Sequence, residues 1–207
     1  MAALAAAAPL GHDERMWHFL TNAGDSAVTL PAALAIALAQ AVRGHLRSAG
    51  LWLLLLGAGG LLVLASKLAF IGWGVGVPAL RFTGVSGHSY LAAAVLPVLG
   101  RQLWPRDSAR AFYGQLAGVL LALLVGVSRL MIGVHSVSEV ASGLALGLWV
   151  SAGYLKACED AGTLPMRRLI VAGGVLVSAG VLFGLQSPSH ALVVHLAHYL
   201  AGRGHDW

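Results

Sequence analysis

Charge and sulfur are the scarcest things in this chain. Of its 207 residues only 10% are Asp, Glu, Lys or Arg, and Cys158 is the sole cysteine. Soluble globular domains carry about 25% charged residues, so a chain this poor in charge cannot be coated in water. One thiol excludes an intramolecular disulfide and any multi-cysteine metal site. Cys158 therefore reads as a small buried residue near a helix end. The alanine-rich start, Met1 to Leu10, has no basic residue and so makes a poor secretory signal. It reads as an interfacial lead-in. Internal repeats and flexible linkers are also absent, which leaves one membrane-embedded domain over 1–207, with 1–23 and 189–207 as peripheral interfacial segments.

What the chain does have is apolar length: 58% of its residues are hydrophobic. Six segments stand out, at 26–43, 51–71, 87–103, 110–127, 137–155 and 168–186. Most sit at the short end of what crosses a hydrocarbon core ~30 Å thick, and only helices satisfy the backbone of an open chain there. The expected fold is all-α, a polytopic membrane protein with six transmembrane helices in one bundle. Gly44, Gly50, Pro105, Asp107, Asp160, Gly162 and Pro165 supply the breaks between segments. Gly114/Gly118, Gly143/Gly147 and Gly180/Gly184 place small residues one turn apart on three spans. That spacing lets helices approach closely, and packing within one bundle is its expected use.

The net charge of +5 does not point to nucleic acid, because the basic residues sit singly between apolar runs. They sort by side instead. Arg43, Arg47, Arg101, Arg106, Arg110, Lys156, Arg167 and Arg168 fall on one set of connections; Arg15, Lys67, Arg81, Arg129 and Arg203 fall on the other. The positive-inside bias assigns the first set to the cytoplasm. Both chain ends and the polar motifs described next then face outward.

Those motifs are Ser86-Gly87-His88 and the run from Ser128-Arg129 to His135 and Glu139. Titratable groups near hydrocarbon are costly and mark a site by default. His135 and Glu139 are four apart, on one face of a helix expected to begin near Val134. A carboxylate there can hold one imidazole nitrogen and leave the other as nucleophile, while the helix start favours a phosphate. Arg129 can clamp phosphate oxygens bidentately. Ser86 can cap a helix and Gly87 allows close backbone approach. His88 is placed to act as general acid and then general base. Lys67, closing the second span, and Arg81, before Ser86, read as further phosphate clamps, with plain interfacial charges as the alternative. The chemistry these residues suit is phosphoryl transfer through a histidine.

Lys67, Val85-Ser86-Gly87-His88 and Ser128-Arg129-x5-His135-x3-Glu139 resemble the three signature motifs of the type 2 phosphatidic acid phosphatase family, which run Lys-x6-Arg-Pro, Pro-Ser-Gly-His and Ser-Arg-x5-His-x3-Asp. The motif core spans about 67–139, and Gly24-Asp25-Ser26 is similar to small bacterial members. The resemblance implies a metal-independent phosphatase without cofactor, its site at the outer face. His135 would form a phosphohistidine, His88 would protonate the leaving group, and Glu139 would complete the catalytic set. Lys67, Arg81, Ser86, Gly87, Ser128 and Arg129 would hold phosphate.

The motifs depart from the family in three places. Gly74 stands where the first motif has arginine, with Arg81 fourteen residues after Lys67; Val85 replaces proline; Glu139 replaces aspartate. The expected substrate is a membrane lipid phosphate such as phosphatidylglycerol phosphate, phosphatidic acid or polyprenyl diphosphate, met at a bacterial inner (plasma) membrane from its periplasmic or exterior face. A lipid phosphotransferase and a catalytically weakened phospholipid-binding relative are the alternatives. The oligomeric state is left open.

Two weaker signals remain. His190, His195, His198 and His205 cluster near the C-terminus but lack supporting carboxylates or thiolates apart from Asp206, so no metal is expected there. Trp17, Trp52, Trp73 and Trp104 fall near span ends and fit an aromatic belt.

Overall fold

The computed structural model describes residues 12–105, 108–158 and 189–201. Apart from a 3₁₀ turn at Pro78–Leu80, its regular elements among these residues are α-helices: α1 (His12–Asn22), α2 (Ser26–Val42), α3 (Leu46–Trp73), α4 (Gly87–Gln102), α5 (Ala109–Met131), α6 (Val137–Ala157) and α7 (Ser189–Leu200). Four stretches are long and apolar enough to cross a membrane: Arg15–Val42, Leu46–Trp73, Ala109–Met131 and Val137–Ala157. Leu34, Leu38, Leu54, Leu61, Leu62 and Trp149 lie bare on their outer surfaces. Large apolar side chains exposed on this scale are foreign to a water-soluble monomer and natural against lipid.

The expectation of six spans is met in part. Five of the six expected segments are helices, and the sixth, 168–186, lies outside the described residues. The third, α4, has 16 residues, which at ~1.5 Å per residue is only ~24 Å. It occupies the centre of the bundle, packed on α2, α3, α5 and α6, with Ala92, Ala93, Ala94, Val95 and Val98 fully buried. Its neighbours shield it, so it has no need of a lipid-facing length.

Two of the three small-residue pairs explain how α4 is enclosed. A Cβ on Gly114 or Gly118 of α5 would collide with the α4 backbone at Gly100 and Leu96, and one on Gly143 or Gly147 of α6 would collide at Ser86 and Tyr90. These pairs serve packing inside the bundle, as expected. The third pair, Gly180/Gly184, lies outside the described residues. On the other flank the Trp52 indole donates to the Ala33 carbonyl at 2.9 Å and stacks obliquely on Tyr154, 5.0 Å between ring centroids. Helix α1 packs on α5, and α7 packs on α3 with Ala197 fully buried.

Two boundaries shift in ways that matter for the site. Helix α5 runs to Met131, so Ser128 and Arg129 lie in its last turn. Helix α6 begins at Val137, three residues beyond the expected Val134, because Ser136 is its N-cap. His135 thus stands just outside the helix.

Candidate active site

Local structure at the start of α6 explains how His135 is held. Ser136 and Glu139 form a capping box: the Ser136 hydroxyl accepts from the Glu139 amide, and the Glu139 carboxylate accepts from the Ser136 amide at 3.0 Å. This reciprocal arrangement is favoured by glutamate three residues after a capping serine. Because Glu139 folds back over the helix start, its Oε2 also reaches His135 Nδ1 at 2.8 Å. Its other oxygen, Oε1, accepts from the Thr83 amide at 2.7 Å and the Thr83 hydroxyl at 2.5 Å. Glu139 is 3% exposed, and all four hydrogen bonds hold it as a carboxylate. With Nδ1–H donating to that carboxylate, His135 Nε2 keeps its lone pair.

Burial pushes the His135 imidazole below its ordinary value of 6.5; the hydrogen bond to Glu139 opposes this, while the charges of Arg129 and Lys67 add to it. The shift favours the neutral ring that a nucleophile requires.

His88 sits in the first turn of α4. Its Nε2 approaches Asp25 Oδ2 at 3.3 Å. Arg129 Nη1 donates to the Thr21 hydroxyl at 2.9 Å, while its buried Nε has no hydrogen-bond partner among the described residues. Lys67, near the end of α3, is half-buried and within electrostatic reach of Arg129 and Glu139. Gly84, at φ +143°, lies flat against it: a Cβ there would come within 3.1 Å of Lys67 Cγ. One end of the bundle thus gathers two histidines, each beside a carboxylate, together with Lys67 and Arg129. Gly87 opens α4, whose first amides have no partner within the helix.

Three expected phosphate ligands are placed differently from the rest. Ser86 and Ser128 are fully buried. The Ser86 hydroxyl accepts from Ser89, leaving α4 without a side-chain cap, and the Ser86 amide donates to the Glu139 carbonyl. Ser128 donates to the Val125 carbonyl at 2.6 Å. Both hydroxyls are turned into the packing. Arg81 is exposed in a left-handed turn, φ +50°, closed by a bridge between Val77 and Phe82. It has no ion pair among the described residues. Its loop is nevertheless tied to the start of α6 on both sides, by Ser138 donating to the Leu80 carbonyl and by Thr83 donating to Glu139.

Sequence reasoning missed Thr21, Ser66 and Thr83. Ser66 accepts from the Val85 amide at 3.0 Å and so pins the Ser86 loop to α3. None of the three carries a local signal, since each acts on a partner distant in the chain. Among the described residues no three His, Cys, Asp or Glu side chains converge to hold a metal ion.

The chain is 46% identical over 191 residues to a protein of Klebsiella pneumoniae described as an uncharacterized 22.5 kDa protein in cps region, covering 87% of this chain and 90% of the relative. It is 41% identical over 71 residues to phosphatidylglycerophosphatase B of Bacillus subtilis, covering 32% of this chain and 34% of that one. No solved structure matches. The PAP2 superfamily model matches residues 17–161, a span that holds every residue of the site from Thr21 to Glu139, and the chain belongs to that superfamily of phosphatases, whose substrates are in general lipid phosphates.

Proposed function

We propose that this protein is a metal-independent lipid phosphate or diphosphate phosphatase working through a phosphohistidine at the outer face of a bacterial plasma membrane. The observation that carries the proposal is the hydrogen bond from His135 to Glu139, with Arg129 and Lys67 at the same end of the bundle. His135 Nε2 attacks phosphorus as the bond to the lipid oxygen breaks, and His88 gives that oxygen its proton. Water then attacks the phosphohistidine, its proton passes to His88, and the P–N bond breaks to release inorganic phosphate. Arg129, Lys67 and the first amides of α4 spread the charge on the phosphoryl oxygens.

The other end of the bundle supports this orientation. Arg43, Arg47, Arg101, Arg110 and Lys156 lie at helix ends remote from the site, and such residues favour the cytoplasm. A site at the opposite boundary admits a headgroup while its tails stay in hydrocarbon. Similarity to phosphatidylglycerophosphatase B makes phosphatidylglycerol phosphate the first substrate to try. The fully bonded Glu139 supports a working site over a weakened one.

The test is phosphate release by the detergent-purified protein from phosphatidylglycerol phosphate, phosphatidic acid and a polyprenyl diphosphate, with EDTA present. Turnover in EDTA, abolished in His135→Ala and reduced about 100-fold or more in His88→Ala, is the expected result. Wild-type rates in either variant, or loss of activity in EDTA, would overturn the mechanism.

A further inference from the structure

The first helical hairpin lies outside the motif core, yet its turn touches two site residues. Thr21 accepts from Arg129, and Asp25 faces His88. Asp25 divides its two oxygens. Oδ1 caps α2 by accepting from the Ala27 amide at 2.7 Å, which fixes the carboxylate; Oδ2 is left to meet His88 Nε2 at 3.3 Å. Gly24 brings the turn close enough for this. A Cβ there would run into Val125 and come within 3.1 Å of the His88 carbonyl. Only glycine lets the α1–α2 turn lie this close to α4 and α5.

We propose that Asp25 is a positioning residue for His88, the counterpart of Glu139 for His135. Its carboxylate holds one proton of His88 on Nε2 and orients the ring, so that Nδ1 of the doubly protonated ring gives the second proton to the leaving oxygen and regains one from water. Asp25 acts only through His88 and rests on the phosphatase mechanism proposed above. Its effect is greatest where the leaving oxygen most needs a proton.

Asp25→Asn separates this role from helix capping, since asparagine caps as well as aspartate but carries no charge. Two probes divide the chemistry: dioctanoyl phosphatidic acid, whose alkoxide leaves poorly, and p-nitrophenyl phosphate, whose phenolate leaves readily and reports the first step as a burst. Asp25→Asn is expected to lower kcat on dioctanoyl phosphatidic acid about 100-fold, the lower end of what acid–base catalysis supplies. KM should stay within about twofold and the p-nitrophenolate burst rate within about threefold, with part of the loss restored in Asp25→Glu. Equal loss on both probes, or no loss on either, would overturn the role. A turnover-free measurement separates failure of this proposal from failure of the phosphatase reading. Long-range 1H–15N spectra of histidine-labelled protein in detergent read which His88 nitrogen holds the proton. In the singly protonated ring the proton is expected on Nε2 in the wild type and on a mixture of the two nitrogens in Asp25→Ala; a singly protonated wild-type ring with its proton on Nδ1 would overturn the dyad whether or not the protein hydrolyses anything.

Discussion

Replacing Glu139 with aspartate, the residue this motif usually carries, should harm the protein. Glutamate here meets four donors at once: His135 Nδ1 at 2.8 Å, the Ser136 amide at 3.0 Å, and the Thr83 amide and hydroxyl at 2.7 and 2.5 Å. Removing one methylene withdraws the carboxylate by about 1.5 Å, one carbon–carbon bond. A contact of 2.8 Å opens to roughly 4 Å, beyond hydrogen-bond range. Aspartate can turn toward His135 or toward Thr83, but it cannot keep both. Hydrogen bonds to a charged group contribute about 1.5–3 kcal/mol each, so losing the Thr83 pair costs about 3–6 kcal/mol before relaxation. Neutralising the carboxylate of a serine-protease triad costs about 10⁴ in kcat. Aspartate keeps the charge and loses only the geometry, so the expected fall in kcat for Glu139→Asp is smaller, about 10- to 100-fold. Steady-state phosphate release and thermal unfolding in the same detergent measure the two effects. An unchanged or higher kcat in Glu139→Asp would refute the reasoning, because the capping box would then not be what orients His135.

Two further outcomes follow from the same geometry. Burial and the neighbouring cations hold the His135 pKa below 6.5, so its charged form appears only at more acid pH. The acid limb of kcat/KM, where protonation removes the nucleophile, is expected below pH 6.5, and a limb at or above that value would contradict the assignment. Gly147→Leu places a side chain where α4 leaves no room, against Tyr90 and Ala93. Overpacking costs about 1–3 kcal/mol and here meets backbone, so the melting temperature should fall well below that of Gly153→Leu, whose site is open.

Much of the candidate site could be read in the linear chain because its parts are local or strongly typed. His135, Ser136 and Glu139 lie within five residues, and the Ser-x-x-Glu spacing is itself a capping signal. His88 and Arg129 stood out because polar groups at the ends of apolar spans are rare. The helices were legible for the same reason: long apolar runs have one way to satisfy their backbone in hydrocarbon. Boundaries were less so, since the start of α6 depended on which serine capped it.

Composition and spacing therefore determined the membrane character, the helical fold and the histidine pair, all of which rest on interactions a few residues long or on the solvent the chain must avoid. Tertiary packing decided the rest. It turned Ser86 and Ser128 inward, because the helices around α4 close over them. It brought Thr83 to Glu139 across 56 positions and Thr21 to Arg129 across 108. It also set Asp25 against His88, through a glycine turn lying directly on two other helices. An ordinary threonine or aspartate acquires such a role only from the partner the fold puts beside it, and no local pattern encodes a partner that distant.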